Sequence, residues 1–352
     1  MTSVPESPAR PYPMQSIDDR LGPAAKRFFG DGHRRVHYRF TDTVVTAGPP
    51  DAVQLSATAS VICPPDWSTK GATAQRPHLS TIDALIVGAR LADVLLSRRH
   101  RLNDLERAAT WLRRVEIKAG RAPDEENLER LAVTARLRST RPDEDDPALA
   151  VSVLDCQVGA MRVRCDVVHP VGRASADTAS AGTASAQPVD LTELPVGVYG
   201  EGFRHRRQAI TDVRVDLPRL RADATAQVLA EPGLHSSVGI EGAYQPSVTL
   251  VDAFVIALQL GQVLIYGLDE VDRAHSRTLW MRRTVLEADD TFRPAGRPMP
   301  ASAELRDAAL LDAHGTAWRT ADILSSYAGV RVRCSVTHEL SANQSPGKAV
   351  EQ

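Results

Sequence analysis

The chain has 352 residues, 43% of them hydrophobic, enough for two ordinary domains with sizeable cores. Its formal charge is −2, which excludes a nucleic-acid binder of the kind that works through a net basic surface. Four cysteines occur, none in a CxxC pair, so neither a zinc framework nor any other metal site is expected, and no cofactor motif is present.

Residues 1–25 are rich in Pro and polar side chains and read as a flexible N-terminus without the apolar stretch of a secretory signal. Residues 36–45 and 53–62 read as strands. In the second, Leu55, Ala57, Ala59 and Val61 alternate with polar residues. Residues 80–97 have helical length and are apolar nearly all round, so that helix must be buried on most faces. Strands follow near 111–118, 130–138, 149–156 and 160–168. In the last, Met161, Val163, Cys165 and Val167 point one way and Arg162, Arg164 and Asp166 the other. Residues 172–190 are Ala/Ser/Thr-rich and read as a linker, and 341–352 as a flexible tail.

Between linker and tail the first half recurs. A constant offset of 169 residues lays 77–96 on 246–265, 111–115 on 280–284 and 161–169 on 330–338. Fifteen of those thirty-four positions are identical, where unrelated sequence would give roughly two. A fourth block, 29–34 on 199–204, needs one extra residue. The expected fold is therefore α+β, with two copies (26–171 and 191–340) of one antiparallel curled sheet around a central apolar helix. That arrangement is the tandem hot-dog fold. The most apolar stretch, Leu250 to Tyr266, reads as such a core helix, too short to span a bilayer. A soluble cytoplasmic protein is expected, and the internal pseudo-dimer could pair again as a homodimer.

Each central helix opens on a Ser/Thr-x-x-Asp box, Ser80 to Asp83 and Thr249 to Asp252. The residues suit a capping box, and equally a carboxylate at a helix N-terminus facing a cleft, where it could act as acid or base. The turn Phe29-Gly30-Asp31-Gly32 becomes Tyr199-Gly200-Glu201-Gly202 in the second copy, with His205 close behind. Its paired glycines suggest positive φ or close backbone approach. Trp280-Met281-Arg282-Arg283 repeats Trp111-Leu112-Arg113-Arg114. An Arg there could grip a phosphate or carboxylate, or simply be solvated. Gln259 lies two turns after Asp252 and needs a partner inside an apolar helix.

The second half, in YGEGFRHRRQAITDV, PSVTLVDAFVIALQLGQVLIYGLD and TLWMRRT, resembles the avirulence protein D family, and the resemblance spans about Phe28 to His338. It implies an enzyme of small signal-molecule biosynthesis that joins a β-ketoacyl unit, carried by an acyl carrier protein or CoA, to a sugar or polyol acceptor. Products of this kind are the syringolides. The A-factor synthases are similar double hot-dog proteins. A weaker similarity links Tyr199–Phe203 and Leu250–Ala253 to the YGPxF turn and LLDA segment of polyketide synthase dehydratase domains, whose aspartate falls on Asp252. The histidine motif of those domains has no match at His33 or His37.

The resemblance favours Asp252 as acid/base; with it the motifs offer Tyr199 and helix amides as donors, Asp83 as the repeat partner of Asp252, and Gln259, Glu201, His205, Trp280, Arg282 and Arg283 around the substrate. Because Tyr199, His205 and Gln259 differ from the first copy, the site is expected mainly in the second. A non-catalytic acyl-ligand binder, and a hot-dog thioesterase or dehydratase, stay open as alternatives.

Overall fold

A computed structural model describes residues 12–47, 53–172, 185–189, 197–231, 233–234, 237–313 and 315–340. The first copy runs β1 (Tyr12–Ser16), α1 (Asp18–Leu21), β2 (His37–Ala47), β3 (Gln54–Ile62), the short pair β4 (Thr69–Lys70) and β5 (Thr73–Ala74), α2 (Thr81–His100), α3 (Asp104–Ala108), β6 (Trp111–Lys118), β7 (Leu131–Pro142), β8 (Leu149–Val158) and β9 (Met161–Pro170). After β10 (Ser185–Pro188) the second runs β11 (Arg206–Asp216), β12 (Arg221–Ala230), α4 (Leu250–Leu268), β13 (Trp280–Ala288), β14 (Met299–Ala313), β15 (Thr316–Tyr327) and β16 (Val330–Glu339).

Fourteen strands form one antiparallel sheet in the order β1-β11-β12-β14-β15-β16-β13-β6-β9-β8-β7-β3-β2-β10. The order reads the same from either end once the copies are exchanged, and the copies join where β13 pairs β6. Each half wraps one long helix, so the chain is a double hot-dog. Period-two patterning sets the wrap: in β16, Val330, Val332 and Cys334 are buried and Arg331 and Arg333 exposed. All three of Cys156, Cys165 and Cys334 are buried free thiols, as strand patterning implied for Cys165 and Cys334.

The helices are the cores of the two halves. Every residue of α4 from Leu250 to Gly267 is buried. At 19 residues with mean hydropathy 1.7, α4 is long and apolar enough to cross a membrane, so length does not exclude a span as expected from the shorter stretch. Burial within the curve of strands β11–β16 makes it a core helix here.

The ends of the copies correct the sequence reading. Residues 12–25 are not loose: β1 pairs with β11 of the other copy, and Leu21 is buried. Within the expected linker, β10 pairs with β2, again across copies. Each copy is thus edged by the segment preceding the other. The rest of the linker, 173–184 and 190, and the tail from 341 lie outside the described residues.

The turn glycines act by close approach. A Cβ on Gly30 would lie 2.2 Å from Ala24 O, and one on Gly32 2.1 Å from Trp67 O. Neither has positive φ. The fourth repeat block is also real: Arg34 Nε donates to Arg204 O and Arg204 Nε to Arg34 O, each at 2.9 Å. These two contacts lie across the pseudo-twofold axis at an offset of 170.

Candidate functional site

Both helices start with a complete capping box. Ser80 Oγ accepts from Asp83 N and Asp83 Oδ2 from Ser80 N, and Thr249 and Asp252 repeat the pair. Both aspartates therefore cap. What surrounds them differs, because at offset 170 Val36 becomes Arg206 and Tyr38 becomes Gln208.

Asp252 is locked. Arg206 reaches its Oδ2 through Nε at 3.0 Å and Nη2 at 2.7 Å, with both side chains buried. Gln208 Nε2 donates to Oδ1 at 2.7 Å, and Thr249 Oγ1 to Oδ2 at 2.8 Å. Burial pushes this carboxyl up, but the Arg206 charge and the donors together hold it below the ordinary value. Asp83 has no such cation. It accepts from Tyr38 Oη at 2.6 Å, and burial raises its pKa above the ordinary value against the Tyr38 and Ser80 hydrogen bonds.

A cavity of about 1290 Å³ opens at the start of α2, between the copies. Phe28, Phe29, Trp67, Leu79, Leu279 and Trp280 give it apolar walls. Ser80 and Thr81 bring the helix start to it. The capping box uses the Asp83 amide, and Ala84 N bonds Ser80 O, which leaves the Thr81 and Ile82 amides without a helical partner. The rim is cationic. Lys118 and Arg283 are held by Glu116, whereas Arg121, Arg162 and Arg282 have no ion pair among the described residues. Lys70 donates to Ser276 O at 3.0 Å and Arg277 O at 2.6 Å, and burial, then Arg273 and Arg277, lower it to about 8. His78 sits in the wall with its ring 5.1 Å from Trp67 and 5.2 Å from Trp280.

The family description Pseudomonas avirulence D protein (AvrD) matches residues 13–341. The chain belongs to the avirulence D protein family. Among curated proteins, none matches the sequence. Solved structures give distant likenesses. The tesB protein of Mycobacterium avium subs paratuberculosis is 9% identical, with 82% of this chain and 93% of that chain covered and a TM-score of 0.34. Acyl-CoA thioesterase II TesB2 from Mycobacterium marinum is 12% identical, with 73% and 91% covered and a TM-score of 0.33. The dehydratase domain of RzxB from Pseudomonas fluorescens is 14% identical, with 84% and 95% covered and a TM-score of 0.31. None of these likenesses bears on what this AvrD-family chain does.

Of the residues singled out in the sequence, the cavity gathers Trp280, Arg282 and Arg283. It does not gather Asp252, Tyr199, Gln259, Glu201, His205 or Asp83; at the start of α2 its lining ends at Thr81. Gln259 Oε1 accepts from buried Arg27 Nη1. Glu201 pairs with Arg204, and His205 faces Glu231 at 3.3 Å, half out in solvent. Tyr199 is buried beside the Glu241–Arg293 ion pair, and burial, then the Glu241 charge, push its phenol well above the ordinary value. That ion pair also marks where the second copy departs. Val248 N bonds Arg293 O as Leu79 N bonds Asp124 O, so Arg293 stands where Asp124 lines the cavity of the first copy. In the second copy the place is taken by the buried Arg293–Glu241 ion pair, 3.2 Å apart, and Tyr199 Oη and Arg293 Nε and Nη1 have no hydrogen-bond partner among the described residues.

Sequence reasoning missed His78 and Lys70. The signal available for His78 was its place two residues before the cap, where the second copy has Ser247.

Proposed function

We propose that the chain transfers the acyl group of a β-ketoacyl thioester, carried by CoA or an acyl carrier protein, to a hydroxyl of a sugar or polyol. The product would be a small acylated signal molecule of lactone type. One observation carries this reading: a cavity with apolar walls and several cationic side chains, placed at the capped start of a helix where Ser80 and Thr81 line it. The apolar wall takes the acyl chain. The Thr81 and Ile82 amides hold the carbonyl oxygen as it gains charge. Arg282, with Arg121 and Arg162, takes the phosphates of the carrier arm. Membership of the avirulence D family supports the same class of chemistry.

In this reading Asp83 positions the helix start, and Asp252 anchors the second copy through Arg206. The test is incubation with 3-oxodecanoyl-CoA and glycerol or xylulose. Release of free CoA together with an acyl ester mass supports transfer. Thiol release with free acid alone supports a thioesterase instead. One observation favours a plain binder, namely that neither helix carboxylate lines the cavity. Unchanged thioester bound without turnover is what that reading predicts.

The lowered Lys70 gives a pH dependence. Its ammonium is charged below about pH 8 and neutral above. Decanoyl-CoA affinity, measured by calorimetry, is expected to fall as pH rises through 8, and Lys70→Met should flatten that limb.

A further inference from the structure

The avirulence D resemblance leaves the site without the histidine base that the dehydratase-like pattern would supply, and neither helix carboxylate lines the cavity. The cavity has a proton-transfer group of its own. We propose that His78 is the residue that moves the proton in this site, an assignment that rests on the acyl-transfer reading above.

Four observations place it. His78 lines the cavity two residues before the Ser80 cap, beside the amides that would hold the carbonyl. Its ring is fixed between two tryptophans, one from each copy: Trp67 at an interplanar angle of 83° and Trp280 at 55°. Nδ1 is 3.3 Å from the Arg76 carbonyl, and Nε2 has no partner among the described residues. With Nδ1–H given to that carbonyl, the neutral ring keeps its lone pair on Nε2. Burial lowers the ring's pKa, while the charges of Asp83 and Glu125 pull it partly back, so the imidazole is neutral at pH 7 and able to accept a proton.

The step balances. Nε2 takes the proton of the acceptor hydroxyl as its oxygen bonds to the thioester carbonyl carbon, and the carbonyl electrons collect on oxygen facing the Thr81 and Ile82 amides. When they return, the C–S bond breaks and the leaving thiolate takes the proton from the imidazolium. An ester and a free thiol result, with no net gain of protons or electrons. Among the described residues no other histidine lines this cavity. His33 is buried with Nδ1 on Phe28 O, and His205 lies on the surface with Glu231.

The test compares wild type, His78→Gln and His78→Phe with 3-oxodecanoyl-CoA and glycerol, following thiol release across pH 5–9, with decanoyl-CoA binding measured beside it. The expected result is a loss of roughly 10²–10⁴-fold in turnover for both variants with binding within about threefold. The acid limb of the profile should disappear, and added imidazole should restore part of the rate to His78→Gln. Wild-type turnover with an equally active His78→Gln, or a loss that follows binding alone, overturns the role of His78 and leaves the acyl-transfer reading standing. A wild type that binds the thioester and transfers to no acceptor overturns the acyl-transfer reading and this role with it.

Discussion

Asp252→Asn is expected to destabilise the protein by about 3–5 kcal/mol, because it leaves Arg206 as a buried cation with no counter-charge. Arg206 and Asp252 expose 4% and 1% of their side chains, so solvent does little to screen the loss. Removing both charges together, as in Arg206→Met/Asp252→Asn, is expected to recover most of that loss, since the desolvation of two ions is removed with their attraction. Urea unfolding measures both. The pH dependence follows from the lowered carboxyl: the contribution of Asp252 is present above its unfolded value, near 3.9, and is lost as pH falls through its lower folded value. The variant should therefore lose part of the acid-side slope. An Asp252→Asn protein as stable as wild type yet devoid of turnover would reinstate Asp252 as the acid/base.

The second large effect separates two equivalent tryptophans. Trp111 is 7% exposed and packs within the core of the first copy, with Arg113 over its ring at 5.5 Å. Its truncation to Ala is expected to cost about 3–5 kcal/mol of stability. Trp280 is half-buried because it faces the cavity rather than closing it. Trp280→Ala is expected to cost about 1 kcal/mol of stability and to weaken decanoyl-CoA binding by roughly 10- to 100-fold, through lost apolar contact with the chain. Calorimetric binding and thermal unfolding on the pair give opposite rankings if the cavity is the acyl site. The same ranking in both assays would place the acyl chain elsewhere.

The architecture was legible because the repeat is carried by core positions. Arg-Val-Arg-Cys at 162–165 and 331–334 is strand alternation, and its buried Val and Cys recur because both helices need the same wrap. The exchange of edge strands was not legible. Tyr12–Ser16 and Ser185–Pro188 are short, and their partners are set by the other copy rather than by local pattern.

The proposed site differs from the one expected in the second copy, and the difference has a physical reason. Polar differences in the second copy suggested function, but none of Asp252, Tyr199, Gln259, Glu201 and His205 lines the cavity. Arg206 answers Asp252 and Arg27 of the first copy answers Gln259, whereas the Arg293–Glu241 ion pair leaves Arg293 Nε and Nη1 without hydrogen-bond partners among the described residues. The one-residue shift from 169 to 170 across the first strand hid that Arg206 replaces Val36 and Gln208 replaces Tyr38. Those two exchanges decide which carboxylate is locked. Trp280, Arg282 and Arg283, which line the cavity, stood out because a Trp-x-Arg-Arg cluster recurs at a strand start in both copies. Lys70 ends the two-residue strand β4 and His78 lies in irregular chain before the helix, segments too short or too irregular for a period to mark them.

The most direct test of a single acyl site at the start of α2 is photo-crosslinking with a decanoyl-CoA analogue that carries a diazirine at the chain end, followed by peptide mapping and intact mass. One label per chain, on the segments holding Phe28, Trp67, Leu79 or Trp280, is the expected result. Labelling around Tyr199 and the start of α4, or two labels per chain, would contradict it.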